Sequence, residues 1–324
     1  MYDIITVGSN TIDTFVLTDK KYFKSKTYTF PVGSKILIKD LHFSIGGGGT
    51  NTAVCFSRLG LKTAYLGVIG SDANGRIVLD YLKKENIATV LVQKDNIKTG
   101  FSVILDAKGE DRTILTFKGS NNDLIYEKIP KSRLRAKWFY FSAMVGKSFE
   151  SIKKLSMYAS KKGIKVAFNP SSYLAKKGKR YLSKILSNTS LLVLNREEAA
   201  LITGTSKINN SLLMLNKMGP DYVVITDGKK GAYALFEGNK YYVKPHNFKV
   251  KETTGAGDAF ASSFLAGLIL KNDVKFALSL AQTNAESVIT HYGAKEKLLT
   301  LKEAKKQMKR YPVDIVQIAI KKRC

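Results

Sequence analysis

A chain of 324 residues has room for one large or two modest domains. Its 44% apolar, 10% aromatic and 24% charged residues supply a sizeable core and exclude a disordered, collagenous or coiled-coil protein. The net charge of +27 raises the question of nucleic acid, but 44 lysines against nine arginines, scattered along the whole chain, describe a solvated surface rather than a base-reading face, and no specific nucleic-acid partner is expected.

The chain enters an alternating apolar run at once, Tyr2 to Val7, with no basic leader and hydrophobic block, so a cytoplasmic protein is expected. Strands are expected at Ile4 to Val7, Ala64 to Ile69, Phe101 to Leu105, Thr113 to Phe117, Trp138 to Phe141, Val166 to Phe168, Leu191 to Leu194 and Val223 to Thr226. Stretches of helical period lie between them. Ile77, Val78, Tyr81 and Leu82 share one face of a segment starting near Ala73, and Val274, Ala277, Leu278, Ala281, Ala285 and Val288 share another. Such alternation predicts a parallel-type sheet covered by helices on both sides.

Two regions break the rhythm. From Asp13 to Leu41, and from Gly100 to Phe117, short β-like runs are joined by polar turns such as Asp106-Ala107-Lys108-Gly109, which predicts a small appended β-sheet able to cover a ligand. The longest nearly apolar stretch, Ala259 to Leu270, falls well short of the roughly 20 residues of a membrane helix. From Leu301 to Cys324 a basic helical run is followed by the apolar stretch Val313 to Ile320. Cys55 and Cys324 have no metal-like or redox-like spacing, and His42, His246 and His291 have no helix-spaced partner, so disulfides and structural zinc are not expected and the histidines read as structural.

The strongest chemical signal is Glu252-Thr253-Thr254-Gly255-Ala256-Gly257-Asp258-Ala259-Phe260, a small-residue turn opening into a helix. Unpaired N–H groups at a helix mouth, together with the helix dipole, suit a phosphate. Asp258 is an odd neighbour for an anion. Either it caps the helix or it accepts a proton from an attacking hydroxyl beside the phosphate cradle.

The second signal, Gly46-Gly47-Gly48-Gly49-Thr50-Asn51, also enters a helix, through Ala53, Phe56 and Leu59. Its glycines let backbone approach a ligand and Asn51 can grip hydroxyls, unless the run is only a flexible turn. It is not a dinucleotide fingerprint, since Asn51 stands where the last glycine would fall. Val7-Gly8-Ser9-Asn10-Thr11-Ile12-Asp13 adds a polar loop and an acid at the end of the first strand, where open α/β sheets bind ligands. Gly146-Lys147-Ser148 looks like the end of a P-loop, but Phe141 occupies the place of the required first glycine.

In combination these residues resemble the PfkB carbohydrate kinase family, with its ribokinase-like fold, from about Ile4 to Ala294. Gly46 to Gly60, continuing into Val68-Ile69-Gly70-Ser71-Asp72 and Gly75, matches one signature, and Thr253 to Phe260 matches the other. The resemblance implies a three-layer α/β sandwich with a mostly parallel central sheet. Residues 1–12, 42–99 and 118–324 would form the nucleotide-binding core, and 13–41 and 100–117 a β lid over the substrate. It implies that Asp13, Gly47 and Asn51 bind the substrate, that Asp258 is the general base, and that Gly255, Ala256 and Gly257 hold the transferring phosphoryl group. By the same likeness Asn195, in Asn195-Arg196-Glu197-Glu198, contacts ATP, and Glu198 arranges Mg²⁺ through water. Thr226, Gly228 and Gly231 would form the nucleotide loop, and Asn284 would line the adenine pocket.

Two departures bear on detail. Gly48 replaces a lysine usual in ribokinase proper, so the substrate need not be ribose. Glu252 replaces an aspartate that commonly helps bind a monovalent cation, leaving Glu252, Thr254 and Gly293 as candidate ligands for K⁺. The expected activity is ATP-dependent phosphorylation of a hydroxyl group of a small sugar. The rivals are a nucleoside kinase of the same fold and a noncatalytic nucleic-acid binder. Family likeness further implies a homodimer formed through the lid.

Overall fold

Six parallel strands run from one edge of a nine-stranded sheet: Thr63–Leu66, Tyr2–Val7, Ala136–Phe141, Lys165–Phe168, Leu191–Asn195 and Tyr222–Thr226, in that spatial order. The computed structural model that shows this describes residues 1–106, 112–291 and 293–319. Three antiparallel strands, Ala232–Phe236, Asn239–Val243 and Ile315–Ala319, complete the other edge.

Because side chains alternate along a strand, each parallel strand feeds two cores. Ile4, Tyr140, Val193 and Val224 point to one side, where Phe56 of helix Gly48–Arg58, Phe264 of helix Ala256–Lys271 and Leu278 of helix Val274–Ile289 pack on them. Ile5, Phe139, Phe141, Leu192 and Ile225 point to the other, against Phe149, Ile152, Leu182, Ile202 and Leu212. The result is the helix–sheet–helix sandwich that the alternation of elements implied.

A separate four-stranded sheet is built from Asp40–Gly46, Thr11–Leu17, Phe101–Asp106 and Thr113–Phe117. In its register Phe43 lies opposite Thr14, Thr14 beside Val103 and Val103 opposite Leu115. Leu41, Phe43, Leu115 and Phe117 therefore share a face, and Asp13 projects from the opposite one. All four of those apolar residues are exposed.

Some expected boundaries move. The run Ala64 to Ile69 divides at Gly67: Thr63–Leu66 stays in the large sheet, while Val68–Gly70 leaves it to pair with Gln93–Asp95. The stretch Val313 to Ile320 supplies the edge strand Ile315–Ala319, and Ile320 itself lies outside the described residues, as do Cys324 and the turn residues Ala107 to Gly109. Cys55 is a buried free thiol, and His246 is held between Glu286 and the carbonyl of Pro312. Among the described residues no helix is long and apolar enough to cross a membrane.

Phe264 is fully buried in the layer that carries the signature helices. Phe264→Ala is expected to lower unfolding free energy by about 3–5 kcal/mol in a urea titration, and a loss below about 1 kcal/mol would show that this layer does not depend on the ring.

Candidate active site

The ends of three parallel strands, at Phe168, Asn195 and Thr226, open onto one cavity of about 240 Å³. Its wall consists of Asn169, Ser171, Val193, Leu194, Asn195, Glu198, Thr226, Gly255, Gly257 and Asp258. Carboxyl ends of strands are where an open α/β sheet leaves room for ligands. Of the residues expected around phosphate, Asn195, Glu198, Thr226, Gly255, Gly257 and Asp258 meet here; Asn169 and Ser171 join them without a motif to announce them.

Gly255 begins this arrangement. Its φ of 78° is left-handed, and a Cβ there would lie 2.6 Å from the backbone of Ala294, so only glycine turns the chain tightly enough to start helix Ala256–Lys271 at this point. The opening N–H groups of a helix have no intrahelical partner, and Gly255 and Gly257 at this helix mouth line the cavity. Between them the N–H of Ala256 bends back to Thr253 O at 3.3 Å.

Asp258 sits in the first turn, but it is not the helix cap; Gly255 holds that place. Its Oδ2 accepts from Asn51 Nδ2 at 2.9 Å. Burial pushes its carboxyl above the ordinary value of 3.8, while Asn51 and the charge of Lys295 act in the opposite direction. Asn51 comes from helix Gly48–Arg58, whose glycine-rich start lies against the loop after the first strand: a Cβ on Gly49 would fall 2.6 Å from the Gly8 carbonyl carbon. Hypothetical Cβ atoms also locate the flanking acids, since one on Gly46 would meet Asp13 Oδ2 at 1.8 Å and one on Gly48 would lie 3.7 Å from Asp258 Oδ1. Gly47, with φ of 98°, makes the turn between these neighbours. The glycine run thus passes between Asp13 and Asp258.

Lys295 completes the cluster and carries no motif signal. It is 2% exposed, and its Nζ donates to Asn51 Oδ1 at 3.0 Å and to the carbonyl of Ile45. Burial pushes its ammonium down to about 8, against the opposing pull of Asp13 and Asp258.

Across the cavity Asn195 and Glu198 form a reciprocal cap. Asn195 Oδ1 accepts from Glu198 N at 2.8 Å, and Glu198 Oε2 accepts from Asn195 N at 2.9 Å. Burial raises the Glu198 carboxyl, with Glu197 and Asp258 adding to the effect. Arg196, between them, reaches Asp227 Oδ2 at 3.1 Å and ties this helix to the turn that carries Gly228 and Gly231. Those two glycines lie beyond the cavity wall, and Gly231 packs against the carbonyl of Val243.

In two expected roles the side chain is already engaged. Asn284 is fully buried, donating to Ser263 Oγ at 2.8 Å and accepting from Leu299 N at 3.0 Å. Its amide is spent inside the helical layer, so it does not line an open base pocket. Glu252 is paired with Arg112, from the start of strand Thr113–Phe117, and accepts from Gly293 N at 2.8 Å. Both of its oxygens are engaged, so Glu252 could serve a monovalent cation only by giving up the Arg112 guanidinium or the Gly293 amide. Among the described residues no cluster of three or more His, Cys, Asp or Glu is placed to hold a metal ion.

Residues 3–301 match the family model for pfkB family carbohydrate kinases. The chain belongs to the PfkB family of carbohydrate kinases. It is 32% identical over 248 residues to an uncharacterized sugar kinase of Archaeoglobus fulgidus, covering 75% of this chain and 97% of that one. It is 27% identical to the 5-dehydro-2-deoxygluconokinase of Bacillus licheniformis, over 93% of this chain and 94% of the relative. In structure it is similar to Arabidopsis thaliana ribokinase complexed with ribose and ATP, with a TM-score of 0.83 at 21% identity, covering 95% of this chain and 99% of the other. The ribokinase-like sandwich is thus this PfkB protein's fold.

If Arg112 supplies the positive charge beside Glu252, exchanging K⁺ for tetramethylammonium at constant ionic strength leaves phosphorylation rates unchanged. A severalfold activation by K⁺ would show that the guanidinium does not hold that place in the working enzyme.

Proposed function

We propose that this PfkB protein transfers the γ-phosphoryl group of ATP to a hydroxyl of a small sugar, with Asp258 as the base. One observation carries the reading: the hydrogen bond from Asn51 to Asp258, which brings a hydroxyl-recognising amide and a buried carboxylate together at the mouth of the catalytic helix. The likeness to kinases named for sugars, and to a ribokinase complexed with ribose and ATP, supports the choice of acceptor and donor.

The acceptor hydroxyl would lie among Asp13, Asn51 and Asp258, on the side of the glycine run. Its proton passes to the Asp258 carboxylate as its oxygen bonds to the γ-phosphorus. The bond from that phosphorus to the β–γ bridging oxygen breaks, and ADP leaves. The first-turn amides at Gly255 and Gly257 face the charge that develops on the transferring group, and alignment with charge stabilisation is most of what phosphoryl transfer needs. Apparent conflict between acid and anion is thereby removed: the carboxylate serves the nucleophile, the amides serve the phosphoryl oxygens.

Asn195 and Glu198 fit a Mg²⁺ held through water. The bond from Asn195 N orients the Glu198 carboxylate at the cavity wall, and hard oxygen donors are what that ion takes. Bound there, Mg²⁺ supplies neutralisation of phosphate charge. Thr226 lines the same wall for the nucleotide, with the Gly228–Gly231 turn beyond it.

The four-stranded sheet acts as the lid in this reading, with Asp13 on the face opposite the apolar one. A second copy of the chain is the partner inferred for the face of Leu41, Phe43, Leu115 and Phe117, since a contiguous exposed apolar patch on a soluble domain usually marks a contact surface. Phe43→Asp should convert a dimer to a monomer in light scattering; a wild-type chain that is already monomeric at micromolar concentration would dismiss the contact.

Asp258→Asn is expected to cut turnover about 10²- to 10⁴-fold while ATP affinity stays near normal. Near-normal turnover in a panel of D-ribose, D-fructose, 5-dehydro-2-deoxy-D-gluconate and adenosine would remove Asp258 from the reaction, and a preference for adenosine would make the acceptor a nucleoside. In the wild type the base must be ionised. Burial raises the Asp258 carboxyl above 3.8, so the rate falls on acidification through that raised value, at a higher pH than an exposed aspartate would give.

A further inference from the structure

Lys295 lies outside every motif described above, yet its ammonium bonds the amide that holds Asp258. Removing a lysine this far from water is costly without partners. It has two at its tip, Asn51 Oδ1 and the Ile45 carbonyl. Nζ lies 5.3 Å from the centre of the Tyr81 ring, and the residue's own carbonyl accepts from Arg58 Nη1 at 3.1 Å, with Arg58 paired to Glu85.

The carboxamide of Asn51 has two unlike ends, and an ammonium can only donate. The end facing Lys295 must be oxygen. That choice leaves Nδ2 directed at Asp258 Oδ2, where it stabilises the ionised carboxylate. Without the ammonium, Oδ1 loses its donor in a dry site and Asn51 is held from the Asp258 side alone, which leaves the amide and its contact with the carboxylate free to shift.

We propose that Lys295 is a positioning residue of the phosphoryl-transfer site: by holding Asn51 at its oxygen end it keeps the amide on the Asp258 carboxylate, and through Ile45 it ties the base of the small sheet to helix Gly48–Arg58. This rests on Asp258 being the base. The charged and titratable groups around the chain of contacts are Asp13 on strand Thr11–Leu17, Glu198 across the cavity, Tyr140 and Cys55 in the layer with Asp258, the Arg58–Glu85 pair and Tyr81 on the flank, and Glu296 beside the lysine.

The test is a double-mutant cycle of Lys295→Met with Asn51→Leu, assayed with Mg·ATP and the best acceptor of the four-compound panel. Lys295→Met should lower kcat by up to about 10²-fold with little change in the KM for ATP. The double variant should be no slower than Asn51→Leu alone, because both changes break one line of contacts. Losses that multiply, or an unchanged kcat in Lys295→Met, would overturn the proposal. If Lys295→Met does not fold, Lys295→Gln, neutral but still a donor to Asn51 Oδ1, should keep most of the kcat, and a loss as large as about 10²-fold would overturn the proposal. A second measurement needs no acceptor: the ¹³C titration of the Asp258 carboxyl, assigned with Asp258→Asn, should move upward by about one pH unit in the lysine variant. No movement there also overturns the proposal. An active Asp258→Asn enzyme would instead remove the base assignment, an outcome that the NMR shift and the cycle distinguish from failure of Lys295.

Discussion

A hydrogen bond between Asn51 and Asp258 spans 207 positions of chain, and the functional geometry depends on it. Each residue sits near the start of a helix that follows a run of small residues. The two helices pack side by side on the same face of the large sheet, with Phe56 and Phe264 in one core and Cys55 Sγ 3.3 Å from Ser263 Oγ. Helix packing therefore sets the distance between the Asn51 amide and the Asp258 carboxyl. Neither group has a flexible route to the other, which is the condition for holding reacting atoms in line.

Electrostatics follows from the same packing. Asp258 and Glu198 are both raised by burial, and Lys295 is lowered by it. Charges this poorly solvated persist only where hydrogen bonds satisfy them. Asn51 satisfies Asp258, Asn195 satisfies Glu198, and Asn51 with Ile45 satisfies Lys295. Two of these buried groups, Asp258 and Glu198, line the cavity, whose remaining wall is strand ends, glycine and the polar Asn169 and Ser171, while Lys295 sits behind Asn51.

The small sheet joins the sandwich by contacts of two kinds. Ile45 gives its carbonyl to Lys295, close to the acids, while Arg112 reaches Glu252 at the turn that opens helix Ala256–Lys271. Replacing an aspartate by the longer Glu252 makes the second contact geometrically accessible to an arginine from the sheet. That pair is a direct link between the small sheet and the sandwich.

Much of this was legible in the chain itself, because strands buried on both faces declare themselves as apolar runs and because a helix mouth of small residues is a local feature. Tyr2 to Val7, Trp138 to Phe141, Leu191 to Leu194 and Val223 to Thr226 carry such runs, and Thr253 to Phe260 carries the cradle. The edge strand Ile315–Ala319, the break at Gly67 and the pairing of Val68–Gly70 depend instead on which neighbours offer free backbone groups. Asn284 and Glu252 show the same limit among polar residues: type and position named them, while Ser263, Leu299, Arg112 and Gly293 determined their partners. Lys295 is the sharpest case. In a chain with 44 lysines nothing local distinguishes it, and only the folded core, by excluding water around its ammonium, makes it unlike the others. Local backbone form and periodic burial are properties of short segments, so the sequence determined the sandwich and the small-residue turns that open its helices; which charges meet in the dry interior is a property of distant segments brought together, and only the tertiary structure decided it.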